Sequence, residues 1–168
     1  MEITNIDLFL KYYESVRNRT TRVIERIPPE LIDWTPKAGF FTFGDVVRHI
    51  AAIERYMFAE NATGKWSRYP GCGRELADGY ENVKTFFAEK HRETIDMLRG
   101  LTAEDLARDS VTPAGTKLAT WKWLRAMVEH EIHHRGQMYL MLNLCGVEAP
   151  RLYGLTSEEV REKSLGGL

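Results

Sequence analysis

The chain has 168 residues, 43% of them hydrophobic and 28% charged, which suits one ordinary globular domain able to bury a core without staples. A formal net charge of −1 with no basic stripe argues against nucleic-acid binding, which needs a concentrated positive field. The N-terminal segment carries acidic Glu2 and no apolar run long enough for a signal peptide or anchor. A single cytoplasmic domain over 1–168, with no membrane partner, is therefore expected.

Ile6, Phe9, Tyr13, Val16, Thr20, Val23 and Ile27 recur at steps of three and four, the spacing of one helical face. Lys11, Glu14, Arg17, Arg19, Arg22 and Glu25 flank that stripe, as in a bundle helix. Pro28-Pro29 closes the helix, since proline has no N–H to donate to the helical ladder. Thr42 with Asp45 reads as a capping box opening a second helix over 43–60, with Val46, Ile50, Ile53 and Met57 as its stripe. Residues 61–78, rich in glycine, proline and polar side chains, read as a loop. A third helix over 79–99 carries Tyr80, Val83, Phe87, Thr94 and Leu98 on one side. Thr102 opens a short helical turn, and Pro113 with Gly115 suits a turn or small hairpin within 109–117. A fourth helix over 119–144 stops before Gly146, and Ser157 with Glu158 and Glu159 caps a last short one. Four long amphipathic helices with almost no strand alternation predict an all-α four-helix bundle. The long connections leave room for sequence neighbours to run parallel.

The chemistry concentrates in His130-Glu131-Ile132-His133-His134, which holds three of the chain's five histidines. Positions i and i+4 share a helix face, so His130 and His134 can aim two imidazoles at one point. They fall on a stripe with Trp123, Met127, Gln137, Met141 and Leu144 that is expected to point inward. An imidazole pair there suits a divalent transition metal better than packing. His49, beside the apolar stripe of the second helix, is the best third ligand. Three neutral imidazoles would leave the ion its full charge and an open position, the pattern of a catalytic rather than structural site.

His133 lies on another line, with Ala126, Glu129, Gly136 and Leu140, and reads as a support for a ligand or a contact between helices. His91, on the inner stripe of the third helix, is either a pocket base or ligand, or a buried hydrogen-bonded histidine. Gln137 is placed to hold a ligand or a metal-bound water. Tyr56 is a further candidate to orient substrate. Glu131 and Arg135 project to the side, toward charges on neighbouring helices. Cys145 reads as a small core residue and Cys72 as a loop thiol beside Arg74.

Several blocks together resemble the DinB-like proteins, four-helix metalloproteins that include bacillithiol- and mycothiol-dependent transferases. They are Ile27-Pro28-Pro29-Glu30-Leu31, Trp34-Thr35-Pro36, Phe43-Gly44-Asp45-Val46-Val47-Arg48-His49-Ile50 and His130-Glu131-Ile132-His133-His134-Arg135-Gly136-Gln137. The resemblance implies an up-down-down-up bundle, often a homodimer, with a divalent metal on His49, His130 and His134. It also implies a small-molecule substrate and a low-molecular-weight thiol. Zinc or nickel leads among the metals, with iron or manganese admissible.

Three activities compete. One is transfer of a thiol activated at the metal to a small electrophile. Another is metal-dependent hydrolysis, including the zinc-protease reading of His130-Glu131-x-x-His134, with Glu131 as base and Glu158 or Glu159 as a further ligand. The third is a non-enzymatic, stress-related metal-binding protein. Glu131 falls in line with Leu124, Val128, Arg135 and Met138, off the histidine face, which weighs against the protease.

Overall fold

A computed structural model describes residues 2–166. Helix α1 spans Ile6–Ile24, opened by Asn5, whose side chain accepts a hydrogen bond from the Leu8 amide at 2.9 Å. A 3-10 turn, Pro29–Leu31, follows the proline stop. Helix α2, Phe43–Ile53, starts at Thr42 with both halves of the capping box formed. Its axis continues through a π-helical stretch, Glu54–Ala59, into a last turn, α3, Glu60–Ala62. An irregular connector over 63–79 leads to α4, Tyr80–Leu98. A short helix α5, Ala103–Ala107, precedes a hairpin of β1, Asp109–Val111, and β2, Lys117–Ala119, paired antiparallel with Ser110 opposite Leu118. Helix α6 runs Thr120–Leu144 and stops at Gly146, whose positive φ of 71° suits a residue without Cβ. The C-terminal α7, Ser157–Gly166, buries no residue. Among the described residues no helix is long and apolar enough to cross a membrane.

Packing gives the helix directions. One apolar cluster joins Val23 and Ile24 of α1, Phe43 to Ala51 of α2, Val83 and Phe87 of α4, and Met138 to Leu142 of α6. A second joins Phe9 to Val16, Phe58 to Ala62, Ile95 with Leu98, and Leu124 to Val128. Thus α1 and α6 run from the second cluster to the first, while α2 and α4 run the other way. The order is up-down-down-up, as expected, and the bundle is all-α but for the small hairpin.

Between the two cores each long helix contributes buried polar groups: Arg17 and Thr20, Glu54, His91 and Thr94, Glu131 and Arg135. Arg17 flanks the apolar stripe of α1 in sequence, yet only 3% of it is exposed. It bonds the Tyr13 hydroxyl at 3.0 Å, contacts Glu54, and pairs with Glu131 at 3.1 Å. Its guanidinium lies 4.1 Å from the centroid of the Phe87 ring. Thr20 donates to Glu131 at 2.6 Å, and Arg135 donates to the Val16 carbonyl at 3.2 Å. Glu131 and Arg135 therefore point at α1, as their sideways line suggested, but inside the bundle.

Two stripes shift for physical reasons. The π-helical stretch adds residues to its turns, so a 3.6-residue projection fails beyond Ile53. Ile53 and Met57 become half-buried, and Glu54, Phe58 and Ala59 turn inward instead. On α6 the last turn outruns the core, leaving Leu144 60% exposed where an inward position was expected.

Candidate metal centre

α2 and α6 face one another at the level of the polar belt, and this brings His49, His130 and His134 together. One ring nitrogen from each lies within 4.8 Å of the others. Ring centroids are 5.0 Å apart for His49 and His130, 4.7 Å for His49 and His134, and 4.5 Å for His130 and His134. The capping box fixes where α2 begins and hence where His49 points, two turns on. His130 and His134 follow from α-helical spacing alone.

The donor set fits a divalent ion. His49 Nε2 and His130 Nε2 are 3.1 Å apart. Two nitrogens each about 2.1 Å from one ion stand roughly 3.0 Å apart at a right angle and about 3.4 Å apart at the tetrahedral angle. The outer nitrogens are engaged elsewhere. His134 Nδ1 meets Gln137 Oε1 at 2.9 Å, and His49 Nδ1 meets the Tyr69 hydroxyl at 2.7 Å. A carbonyl oxygen only accepts, so His134 carries its proton on Nδ1 and keeps an Nε2 lone pair for a metal.

Electrostatics keep the cluster neutral. Burial, then the mutual repulsion of the rings, pulls His130 down to about 3, and burial with His134 pulls His49 to about 4. Burial also lowers His134, against the opposing hydrogen bond that it donates to Gln137. Near neutral pH all three are unprotonated, the form that binds metal. On the deep side, the Phe58 ring lies 5.8 Å from His130 and 4.5 Å from Trp123. Phe41, 38% exposed, flanks His49 at 5.5 Å.

The DinB family model matches residues 1–164. The chain belongs to the DinB family. Among curated relatives it is similar to the uncharacterized Bacillus subtilis protein YrdA, 21% identical over 159 residues that cover 92% of this chain and 91% of YrdA. Similarity to YjoA of the same organism is 24% over 139 residues, covering 82% of this chain and 88% of YjoA. The crystal structure of a DinB-like protein from Bacillus cereus matches with a TM-score of 0.73 at 20% identity, covering 89% of this chain and 99% of that one. That of YjoA matches with a TM-score of 0.71 at 24% identity, covering 86% and 97%. These likenesses show a shared DinB fold.

The other candidates named from sequence sit differently in this DinB bundle. His133 is exposed, with its ring 4.9 Å from that of His134. Gln137 makes the bond to a cluster histidine that was sought for it. His91 belongs to the polar belt, with Nδ1 2.8 Å from Glu54 and Nε2 3.3 Å from Glu14. Tyr56 turns toward cations, its ring 5.2 Å from the Arg55 guanidinium and 5.7 Å from the Lys90 ammonium. Glu131, 1% exposed and held by Thr20 and Arg17, has no place at the histidines as a protease base. Glu159 caps α7 through the Thr156 amide at 2.8 Å and pairs with Arg151. Tyr69 and Phe41 were missed: both lie in irregular segments, where no periodicity marks a side chain as facing the site.

Proposed function

We propose that the chain is a metal-dependent transferase that activates a low-molecular-weight thiol for attack on a small electrophile. His49, His130 and His134 hold one divalent ion, with zinc or nickel ahead of iron or manganese. The observation that carries this reading is the donor set: three converging imidazoles kept neutral, with no carboxylate among them. Such a set leaves the ion its full charge and at least one open position.

His49, His130 and His134 would hold the ion, which when bound would lower the pKa of a thiol and so supply the nucleophile near neutral pH. The chain's own residues arrange the rest. Gln137 fixes the tautomer of His134, and Phe58 with Trp123 walls the deep side with apolar surface that excludes water. Phe41 flanks the solvent side. In the transfer the thiol sulfur forms a bond to the electrophilic carbon. The leaving group departs with the electron pair of the broken bond, and the thiol proton passes to solvent.

Metal content of native-purified protein, compared with His49→Ala, His130→Ala and His134→Ala, tests the centre. The wild type should carry about one equivalent and each variant far less; equal metal in all four would remove the foundation. Consumption of small thiols with a chloronitrobenzene tests the activity. No rate above the metal-free protein across several thiols would end the transferase reading and leave the metal centre standing.

A further inference from the structure

His134 is steadied from its own helix, by Gln137 one turn on. His49 has no such neighbour and is reached instead from the connector over 63–79. We propose that Tyr69 is the positioning residue of the metal centre, presented by this connector to hold His49 with its Nε2 lone pair facing His130 and His134. The inference rests on the metal reading above and adds a determinant of how tightly the ion is held.

The connector is irregular but tied down. Arg48, the residue before His49 and only 1% exposed, donates through Nε to the Cys72 carbonyl at 2.8 Å and through Nη1 to the Ala77 carbonyl at 2.9 Å. Its Nη2 is held by Asp45 at 2.6 Å, so the capping residue of α2 also aims the clamp. Nearer α3, the Arg68 amide donates to the Tyr56 carbonyl at 2.8 Å, and the Arg68 side chain pairs with buried Glu60 at 2.5 Å. Asn61 closes the first turn of the connector on the Lys65 carbonyl at 2.9 Å. Between these anchors Tyr69 arrives edge-on to His49, ring centroids 5.7 Å apart and planes at 84°, with the hydroxyl 2.7 Å from Nδ1.

The direction of that bond follows from the lone pair the metal needs. A hydroxyl oxygen accepts as well as donates, so Tyr69 Oη, 2.7 Å away, can take the proton of His49 Nδ1–H. In that direction the imidazole proton sits on the nitrogen away from the cluster and Nε2 is left free. The tautomer a metal needs is then set before any ion arrives, which is how outer hydrogen bonds raise the affinity of ligating histidines.

The test uses full-length Tyr69→Phe, which keeps the ring and removes the oxygen. Zn2+ affinity is measured at pH 7.5 by competition with a chromophoric chelator. Histidine tautomers of the metal-free protein are read by 15N NMR. Tyr69→Phe should bind Zn2+ about 10- to 100-fold more weakly. Its His49 should lose the uniform Nδ1–H form, while His134 keeps its own. Zn2+ affinity within twofold of wild type together with an unchanged His49 tautomer in Tyr69→Phe would overturn the proposal. If the wild type bound neither Zn2+ nor Ni2+, the metal reading would fail, and the Nδ1–H form of His49, kept or lost in Tyr69→Phe, would alone decide whether Tyr69 positions it.

Discussion

Replacing Arg17 by Met removes the one cation that Glu54 and Glu131 share, and both carboxylates are 1% exposed. Removing one member of a buried ion pair costs about 3–5 kcal/mol, because the charge left behind has lost water and partner alike. The methionine fills much of the space beside Phe87, so packing loss is secondary. For a domain of this size each kcal/mol shifts Tm by about 2–4 °C, giving a fall of roughly 6–20 °C at pH 7. The deficit should depend on pH. In the wild type burial pushes the Glu54 carboxyl upward, but Arg17 and then His91 hold it below its usual range. Its stabilisation is therefore present above the ordinary carboxylate pKa and lost as pH falls through the lower folded value. Without Arg17 burial is opposed mainly by His91, Glu54 takes up a proton more readily, and wild type and variant should converge in acid. Adding Glu54→Gln and Glu131→Gln to Arg17→Met should recover more than half of the lost Tm, because no charge is then stranded. Thermal melts followed by circular dichroism decide it. An Arg17→Met protein melting within 2 °C of wild type at pH 7 would refute the belt as a charge-compensated layer.

Two further outcomes follow from the same geometry. In chelator, the stability of the metal-free protein should decline as pH drops from about 6.5 toward 5. The unfolded chain protonates its histidines in that range, whereas folded His49 waits until about 4 and His130 until about 3. Urea midpoints across that window check this, since the Glu54 carboxyl is held below its usual range; a flat profile would show that the rings are not held neutral by the fold. Gly44→Ala puts a Cβ 3.0 Å from Arg48 Nη1 and 3.2 Å from the Ile32 carbonyl oxygen. A cost of about 1–3 kcal/mol is expected from this overpacking. Tm measured against a surface Gly→Ala control tests it, and an unchanged Tm would mean that the Arg48 clamp yields freely.

What could be read from the sequence divides by physical cause. Regular spacing carried the helices: the α1 stripe, the capping box at Thr42 and the i,i+4 pair His130 and His134 all depend on neighbours a turn away. The joining of His49 to that pair was inferred through the need for a third donor, since nothing local to residue 49 encodes the approach of α2 to α6. Arg17 was unreadable for a related reason. A charged side chain is expected outside unless its partners are known, and these are contributed by Glu54 and Glu131, far away in sequence. Glu54 in turn faces inward because the π-helical stretch begins there, a change of pitch that the sequence does not announce.

The support of the histidines shows the same limit more sharply. His133 is adjacent to His134 in sequence, but α-helical geometry turns adjacent residues about 100° apart, so His133 is exposed and meets His134 only ring to ring. The bonds to the outer nitrogens come instead from Gln137, one turn along the same face, and from Tyr69, twenty positions from the histidine it meets. The first is a periodic relation and could be named in advance. The second exists because Arg48, inside the regular helix, reaches out to fix an irregular segment. In this chain the helix that carries His49 therefore organises the outer support of that histidine, through the residue immediately before it. Damage to Arg48 should consequently reach the candidate metal centre through Tyr69 even while His49, His130 and His134 stay intact.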